Sequence, residues 1–81
     1  MARELVEYVP LRMPDGARVQ VDGGLLLDAA CDWIGLGELT LHPEVVTAVA
    51  LSIPDPDERE GSLMRALREA CRHELGMEAG A

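Results

Sequence analysis

The side chains able to bind a metal ion or to attack a substrate are few and widely spaced in this sequence. Its thiol and imidazole groups belong to Cys31, Cys71, His42 and His73. Cys71 and His73 are two positions apart on a predicted helix and point about 200° away from each other, so they cannot close on one ion. Ser62 follows a glycine, but the G-x-S-x-G sequence that exposes a catalytic serine is absent. We therefore predict no catalytic residue, no metal, no cofactor and no enzymatic activity.

The densest group of charges is acidic and consists of Asp55, Asp57, Glu58 and Glu60. These carboxylates could hold a hard cation such as Ca²⁺, yet an EF-hand loop needs ligands at alternate positions, a central glycine and a closing Glu. That order is missing, and Pro56 interrupts the run. Acidic residues also collect at helix starts, because they complement the positive end of the helix dipole. We interpret this acidic cluster as the segment that precedes the last helix and complements its dipole.

Three arginines repeat at helical spacing near the C-terminus, namely Arg65, Arg68 and Arg72. Intervals of three and four residues place them on one face of a helix, opposite its apolar side. One interpretation is a solvated face. The other is a strip that binds carboxylates or phosphates, because a guanidinium group makes paired hydrogen bonds to both. We predict that this arginine strip contacts a partner.

The composition indicates one small domain, residues 1–81, that associates with protein. Its apolar share is 48%, and a domain of this size buries only about 60% of the surface of its unfolded chain. The net charge of −8 comes from 15 acidic residues and seven arginines, with no lysine, and it disfavours direct binding to nucleic acid or to a membrane surface. We expect a protein partner or a homo-oligomer. The possible self-contact residues are Asp28, Asp32 and Trp33.

The two cysteines are expected to be reduced. Cys31 and Cys71 lie among apolar residues on predicted helices, where cysteine behaves as a small buried side chain. No signal peptide is recognisable, and no apolar run approaches the roughly 18 residues that span a bilayer. We therefore predict a cytoplasmic protein. Lys, Asn and Phe, which use AT-rich codons, are absent, and this indicates a high-GC bacterial or phage genome.

The N-terminal third predicts a β-hairpin followed by a helix. Residues 4–13 are rich in Val and Leu, residues 14–16 are Pro-Asp-Gly, and residues 17–21 alternate with Ala17, Val19 and Val21 on one face. Pro10 places the first strand at an edge or bends it. Asp22 then either forms a second turn into a short strand or caps a helix that ends at Gly35. The apolar spacing of residues 26–34 favours the helix.

Residues 45–53 fit two patterns, because their apolar positions match both a helical stripe and strand alternation. The preceding Pro43 and Glu44 favour a helix start. Residues 42–55 also resemble a stretch in the C-terminal subdomain of acyl-adenylating enzymes, carried by His42-Pro43-Glu44-Val45 and by Ile-Pro-Asp at 53–55. The resemblance implies a strand over residues 46–53. The family's catalytic lysine has no counterpart here, so its activity is not implied.

The last predicted helix covers residues 62–75, is capped by Ser62 and ends at Gly76. The expected fold class is therefore α+β, an N-terminal β-hairpin packed on two or three helices, with residues 45–53 as a possible third strand. For function we expect a non-enzymatic interaction module, an accessory subunit or a small regulator that self-associates. The alternatives are an acidic antagonist that mimics nucleic acid and occupies a basic site, as some antitoxins do, and a non-catalytic subunit of a larger enzyme.

Overall fold

The computed structural model describes residues 7–57 and 59–77 and has the predicted α+β fold. Two strands and three helices make up this part of the chain: β1 (Tyr8–Arg12), β2 (Arg18–Asp22), α1 (Gly23–Leu36), α2 (Pro43–Leu51) and α3 (Ser62–Glu74). The strands form an antiparallel hairpin at the N-terminal end, and α2 packs mainly on α3. Within the described residues, no helix has the length and apolar character needed to cross a membrane.

The hairpin turns where the Pro-Asp-Gly sequence predicted. Gly16 has a φ of 90°, a conformation that glycine adopts without strain. The Met13 N–H donates to the Ala17 carbonyl over 2.9 Å, and the Asp15 side chain accepts a bond from the Ala17 N–H. The predicted strand face is only partly buried, because Val21 is enclosed whereas Val19 and Ala17 are exposed.

Pro10 lies where β1 has no hydrogen bond to lose. The Gly23 N–H donates to the Glu7 carbonyl and the Met13 N–H to the Ala17 carbonyl. Odd-numbered residues of β1 therefore face β2, and Pro10 faces the outer edge. This confirms the edge position expected for Pro10. The first strand is shorter than predicted among the described residues, and positions 4–6 lie outside them.

Helix α1 starts as predicted and ends later. The Asp22 carboxylate accepts bonds from the N–H groups of Gly24 and Leu25, which makes it the N-cap. The predicted end at Gly35 is wrong, because the helix continues to Leu36. Gly37 forms the C-cap with a φ of 72° and donates to the Trp33 carbonyl.

Residues 45–51 belong to a helix, so the third-strand alternative is wrong, and so is the strand implied by the resemblance to acyl-adenylating enzymes. Pro43 lies in the first turn of α2, and the Thr47 hydroxyl donates to the Pro43 carbonyl. The helical conformation buries Val46 and Val49 on one side against the core. Ile53 alone pairs with the hairpin, through an N–H that donates to the Arg12 carbonyl over 2.7 Å.

Helix α3 begins at Ser62, as predicted, and ends one residue before the predicted end, but the predicted cap is wrong. Gly61 is the N-cap and makes no side-chain cap bond, so Ser62 is the first helical residue and not the cap. The helix ends at Glu74, and Gly76 follows with a φ of 70°. The described core is built from small and branched side chains contributed by all five elements and by Leu41. Its side chains with 1% exposure or less include Val49, Leu67 and Cys71.

Candidate functional site

The predicted arginine strip does not form one solvated face. Arg68 is only 6% exposed, because it reaches under the loop between α2 and α3. Its Nε donates to the Ser52 hydroxyl over 3.0 Å, and its Nη1 pairs with the Glu60 carboxylate. Burial lowers the pKa of Arg68, and the positive charge of Arg72 lowers it further. The expectation that all three guanidinium groups face solvent is therefore wrong for Arg68.

Arg72 and Arg65 occupy different surroundings. The Arg72 Nε donates to the Ala50 carbonyl over 3.0 Å, close to the C-terminal end of α2, where a cation is favoured by the helix dipole. Arg65 is exposed one turn before Arg68. Of the three residues, Arg65 thus presents its charge most openly to solvent. The predicted role of the strip in binding a partner stays a prediction.

Helix α1 exposes a line of apolar side chains on a side that does not face the core. Leu27, Cys31 and Ile34 are spaced by four and three residues, so they lie on one side of the helix, and all three are exposed. We call them the α1 outer stripe. The expectation that Cys31 is buried is wrong, because the inner side of α1 is occupied by Leu26 and Ala30.

The predicted self-contact residues are spread around α1. Asp28 is exposed beside the outer stripe, whereas Asp32 accepts a hydrogen bond from the Thr40 hydroxyl over 3.4 Å. Trp33 is half-buried on the inner side. They therefore do not form one patch, and their contact with a second copy stays a prediction.

A cavity of about 270 Å³ brings together arginines that are distant in sequence. Arg12 and Arg18 face each other across the hairpin, and Arg59 and Arg68 close the cavity from the loop before α3 and from α3 itself. Val9, Ile53 and Met64 contribute apolar walls, whereas Asp55 and Glu60 contribute carboxylates. We call the site formed by Arg12, Arg18 and Arg59 the arginine cleft.

The arginine cleft is not among the sites predicted from the sequence, although half of its signal is present there. A turn at residues 14–16 pairs positions at equal distances on either side, which predicts Arg12 opposite Arg18. Arg59 could not be added to this pair from the sequence, because only the packing of α3 beside the hairpin brings its loop there.

A wider groove of about 830 Å³ opens between the first turns of α1 and α3. Its walls are mostly apolar and include Leu25, Leu27 and Leu63, with carboxylates from Asp22 and Asp28. No nucleophile with an adjacent base lines it. The groove therefore offers apolar contact surface continuous with Leu27 of the outer stripe.

Comparison of the chain with family models, with curated proteins and with solved structures found no match. The proposals on function below therefore depend on the fold and on the geometry of the α1 outer stripe and the arginine cleft.

The buried cysteine and the acidic cluster have contacts within the chain that account for them. Cys71 is fully buried, and burial raises the pKa of its thiol to about 11, with a smaller contribution from Glu74. In the acidic cluster, the Asp55 carboxylate accepts from the Asp57 N–H and Glu60 pairs with Arg68. Glu58 lies outside the described residues. Over residues 7–57 and 59–77, no three His, Cys, Asp or Glu side chains are grouped as metal ligands.

Proposed function

We propose that this chain is a non-enzymatic protein–protein interaction module, an accessory subunit or small regulator, that self-associates through the α1 outer stripe. The supporting observation is the exposure of this stripe: Leu27 is 51% and Ile34 is 67% accessible. A helix whose apolar surface extends beyond its core-facing side normally has that surface covered by protein. Helix α1 has Asp28 and Asp32 as its charged side chains, and in one copy only its inner side is covered.

A second copy suits this stripe because the stripe is nearly symmetric about its own centre. When two α1 helices pack antiparallel around a two-fold axis, Leu27 of one copy lies opposite Ile34 of the other, and the two Cys31 residues lie near the axis. Each apolar side chain of the stripe then contributes to the interface in both copies of the dimer. Full burial stabilises by about 1.5 to 3 kcal/mol for a side chain of this size, and Leu27 and Ile34, which are 51% and 67% exposed, would gain the corresponding part of it.

The test compares two substitutions on the same helix. Ile34→Gln changes the outer stripe, whereas Leu36→Gln makes a similar change at a residue that is 72% exposed on nearly the opposite side of α1. We expect the wild type and Leu36→Gln to self-associate with equal strength in sedimentation equilibrium. Ile34→Gln should weaken association at least about tenfold, because the lost burial counts in both copies.

A wild-type mass that stays at the monomer value across the concentration range contradicts the proposal. Weaker association of Leu36→Gln with normal association of Ile34→Gln assigns the contact to the other side of α1 and also contradicts it. Thermal melting of both variants serves as the control for folding, because both side chains are mainly in solvent in one copy.

A further inference from the structure

The arginine cleft concentrates positive charge in a protein that is otherwise acidic. Four of the seven arginines line this one cavity, although the chain carries a net charge of −8. Glu60 forms a salt bridge with Arg68 and neutralises its charge. Arg12, Arg18 and Arg59 therefore face the cavity with a single further carboxylate, Asp55, in its lining.

The hairpin register sets two of these charges against each other. Arg12 is directly opposite Arg18. The Arg12 carbonyl accepts from the Ile53 N–H, so the backbone of Arg12 points away from β2 and the pair is of the closer, non-hydrogen-bonded kind. Like charges at such a pair repel each other. An anion between the two guanidinium groups would turn that repulsion into two favourable interactions.

Arg12 also has an unused donor in this cleft. Its Nη2 donates to the Pro54 carbonyl over 3.2 Å, but its Nε is buried and has no partner in the described structure. Arg68 provides the contrast, since its Nε and Nη1 are both bonded within the chain. A buried guanidinium N–H without an acceptor is unfavourable, so Arg12 gains if a small movement of its side chain brings this enclosed Nε–H to an acceptor from another molecule.

We infer that the arginine cleft binds a carboxylate side chain on an acidic segment of a partner protein. The cavity, about 270 Å³, lies at the lower limit of small-molecule sites, roughly 300 Å³, and is large enough for one acidic side chain. Val9, Ile53 and Met64 offer apolar contact to the hydrocarbon part of that side chain. Asp55 and the overall negative charge oppose a phosphate dianion or a polyanion more strongly than a single carboxylate.

This inference rests on the proposed function only in taking the ligand to be a protein segment, and it concerns a different surface from α1. The probe is a capped peptide with one glutamate between valines, titrated into the full chain and followed by calorimetry and by NMR of the arginine Nε–H groups. The matched control peptide carries glutamine in place of glutamate, and inorganic phosphate is the third titrant.

We expect the glutamate peptide to bind and to shift the Arg12 Nε–H signal, and the glutamine peptide to do neither. Arg18→Gln and Arg59→Gln should each weaken binding about tenfold, the loss expected for a charge-assisted hydrogen bond. Both residues are exposed, so these changes spare the core. Arg65→Gln removes the same charge from an exposed position of the arginine strip, outside the cleft, and should weaken binding less than either cleft variant.

Equal binding of the glutamine peptide overturns the inference, and so does binding of phosphate alone. An equal loss in Arg65→Gln also overturns it, because nonspecific attraction or the arginine strip would then carry the affinity. The titration is repeated with Ile34→Gln. Peptide binding without self-association supports the cleft independently of the outer stripe, whereas self-association of the wild type without peptide binding overturns the cleft alone.

Discussion

The two cysteines differ in their exposure to solvent. Cys71 is enclosed between α3 and the core, and the pKa of its thiol is raised to about 11 because burial disfavours the thiolate. Cys31 is exposed on the α1 outer stripe. The thiolate is the reactive form, so reactivity should follow burial and not sequence neighbourhood.

We predict that a disulfide reagent labels one thiol in the dilute native protein and two after unfolding. Cys31→Ser should abolish the native reaction, and Cys71→Ser should leave it intact. The raised pKa also gives a sign for stability: the folded protein keeps the Cys71 proton to higher pH than the unfolded chain. Stability from this group is therefore complete below the unfolded pKa and is lost as pH rises toward 11.

Denaturant unfolding at increasing alkaline pH measures this loss. The free energy of unfolding of the wild type should decline more steeply with pH than that of Cys71→Ala, in which the thiol is absent. Parallel curves for the two proteins would show that Cys71 does not titrate differently on unfolding.

At the scale of elements, two arginines of α3 hold the end of α2. Arg72 donates to the Ala50 carbonyl, and Arg68 donates to Ser52, whose hydroxyl in turn donates to the Val49 carbonyl over 2.7 Å. Glu60 completes this network from the loop between the helices. The network satisfies buried polar groups at the point where α2 ends and the chain turns toward the hairpin.

We predict that Arg68→Met lowers the free energy of unfolding by about 3 kcal/mol, because it leaves the Glu60 carboxylate and the Ser52 hydroxyl without their partner. The double variant Arg68→Met with Glu60→Gln should recover part of that loss, since no unpaired charge remains. Urea unfolding measures both. Arg65→Gln is the control and should change stability by less than about 0.5 kcal/mol. A similarly small effect of Arg68→Met would mean that the network contributes little.

At the scale of the whole molecule, the two proposed surfaces work through different forces. The proposed self-association by the outer stripe would join two chains of net charge −8 through apolar contact. The arginine cleft instead attracts a negative group. Salt screens both the repulsion between two negatively charged copies and the attraction of the cleft for a negative group, with a Debye length of about 10 Å at 0.1 M.

We therefore predict opposite salt responses. Added sodium chloride should strengthen self-association, because it reduces repulsion between the copies, and should weaken binding of the glutamate peptide. Sedimentation equilibrium and calorimetry at low and high salt measure the two effects. Self-association that weakens with salt would indicate that charge pairing holds the copies together, with Asp28 and the exposed arginines as the first groups to substitute.

Local chemistry made several features of this protein predictable from the sequence. The turn at residues 14–16 needs glycine at a positive φ, and Asp22 caps α1 through its own carboxylate, so both could be placed without tertiary contacts. The α+β class followed from the same signals. The ambiguity of residues 45–53 was real, because their apolar positions satisfy both periods, and packing of α2 on α3 decided for the helix.

Tertiary structure alone decided which members of each pattern are buried. Helical spacing assigned Arg65, Arg68 and Arg72 to one solvated face, but a long side chain can reach under a neighbouring loop, and Arg68 finds Glu60 and Ser52 there. Apolar residues occupy more than one side of α1, so periodicity could not tell its inner side from the exposed side that carries Cys31. A sequence pattern fixes the angle between side chains on one element, whereas burial depends on which other elements pack against it.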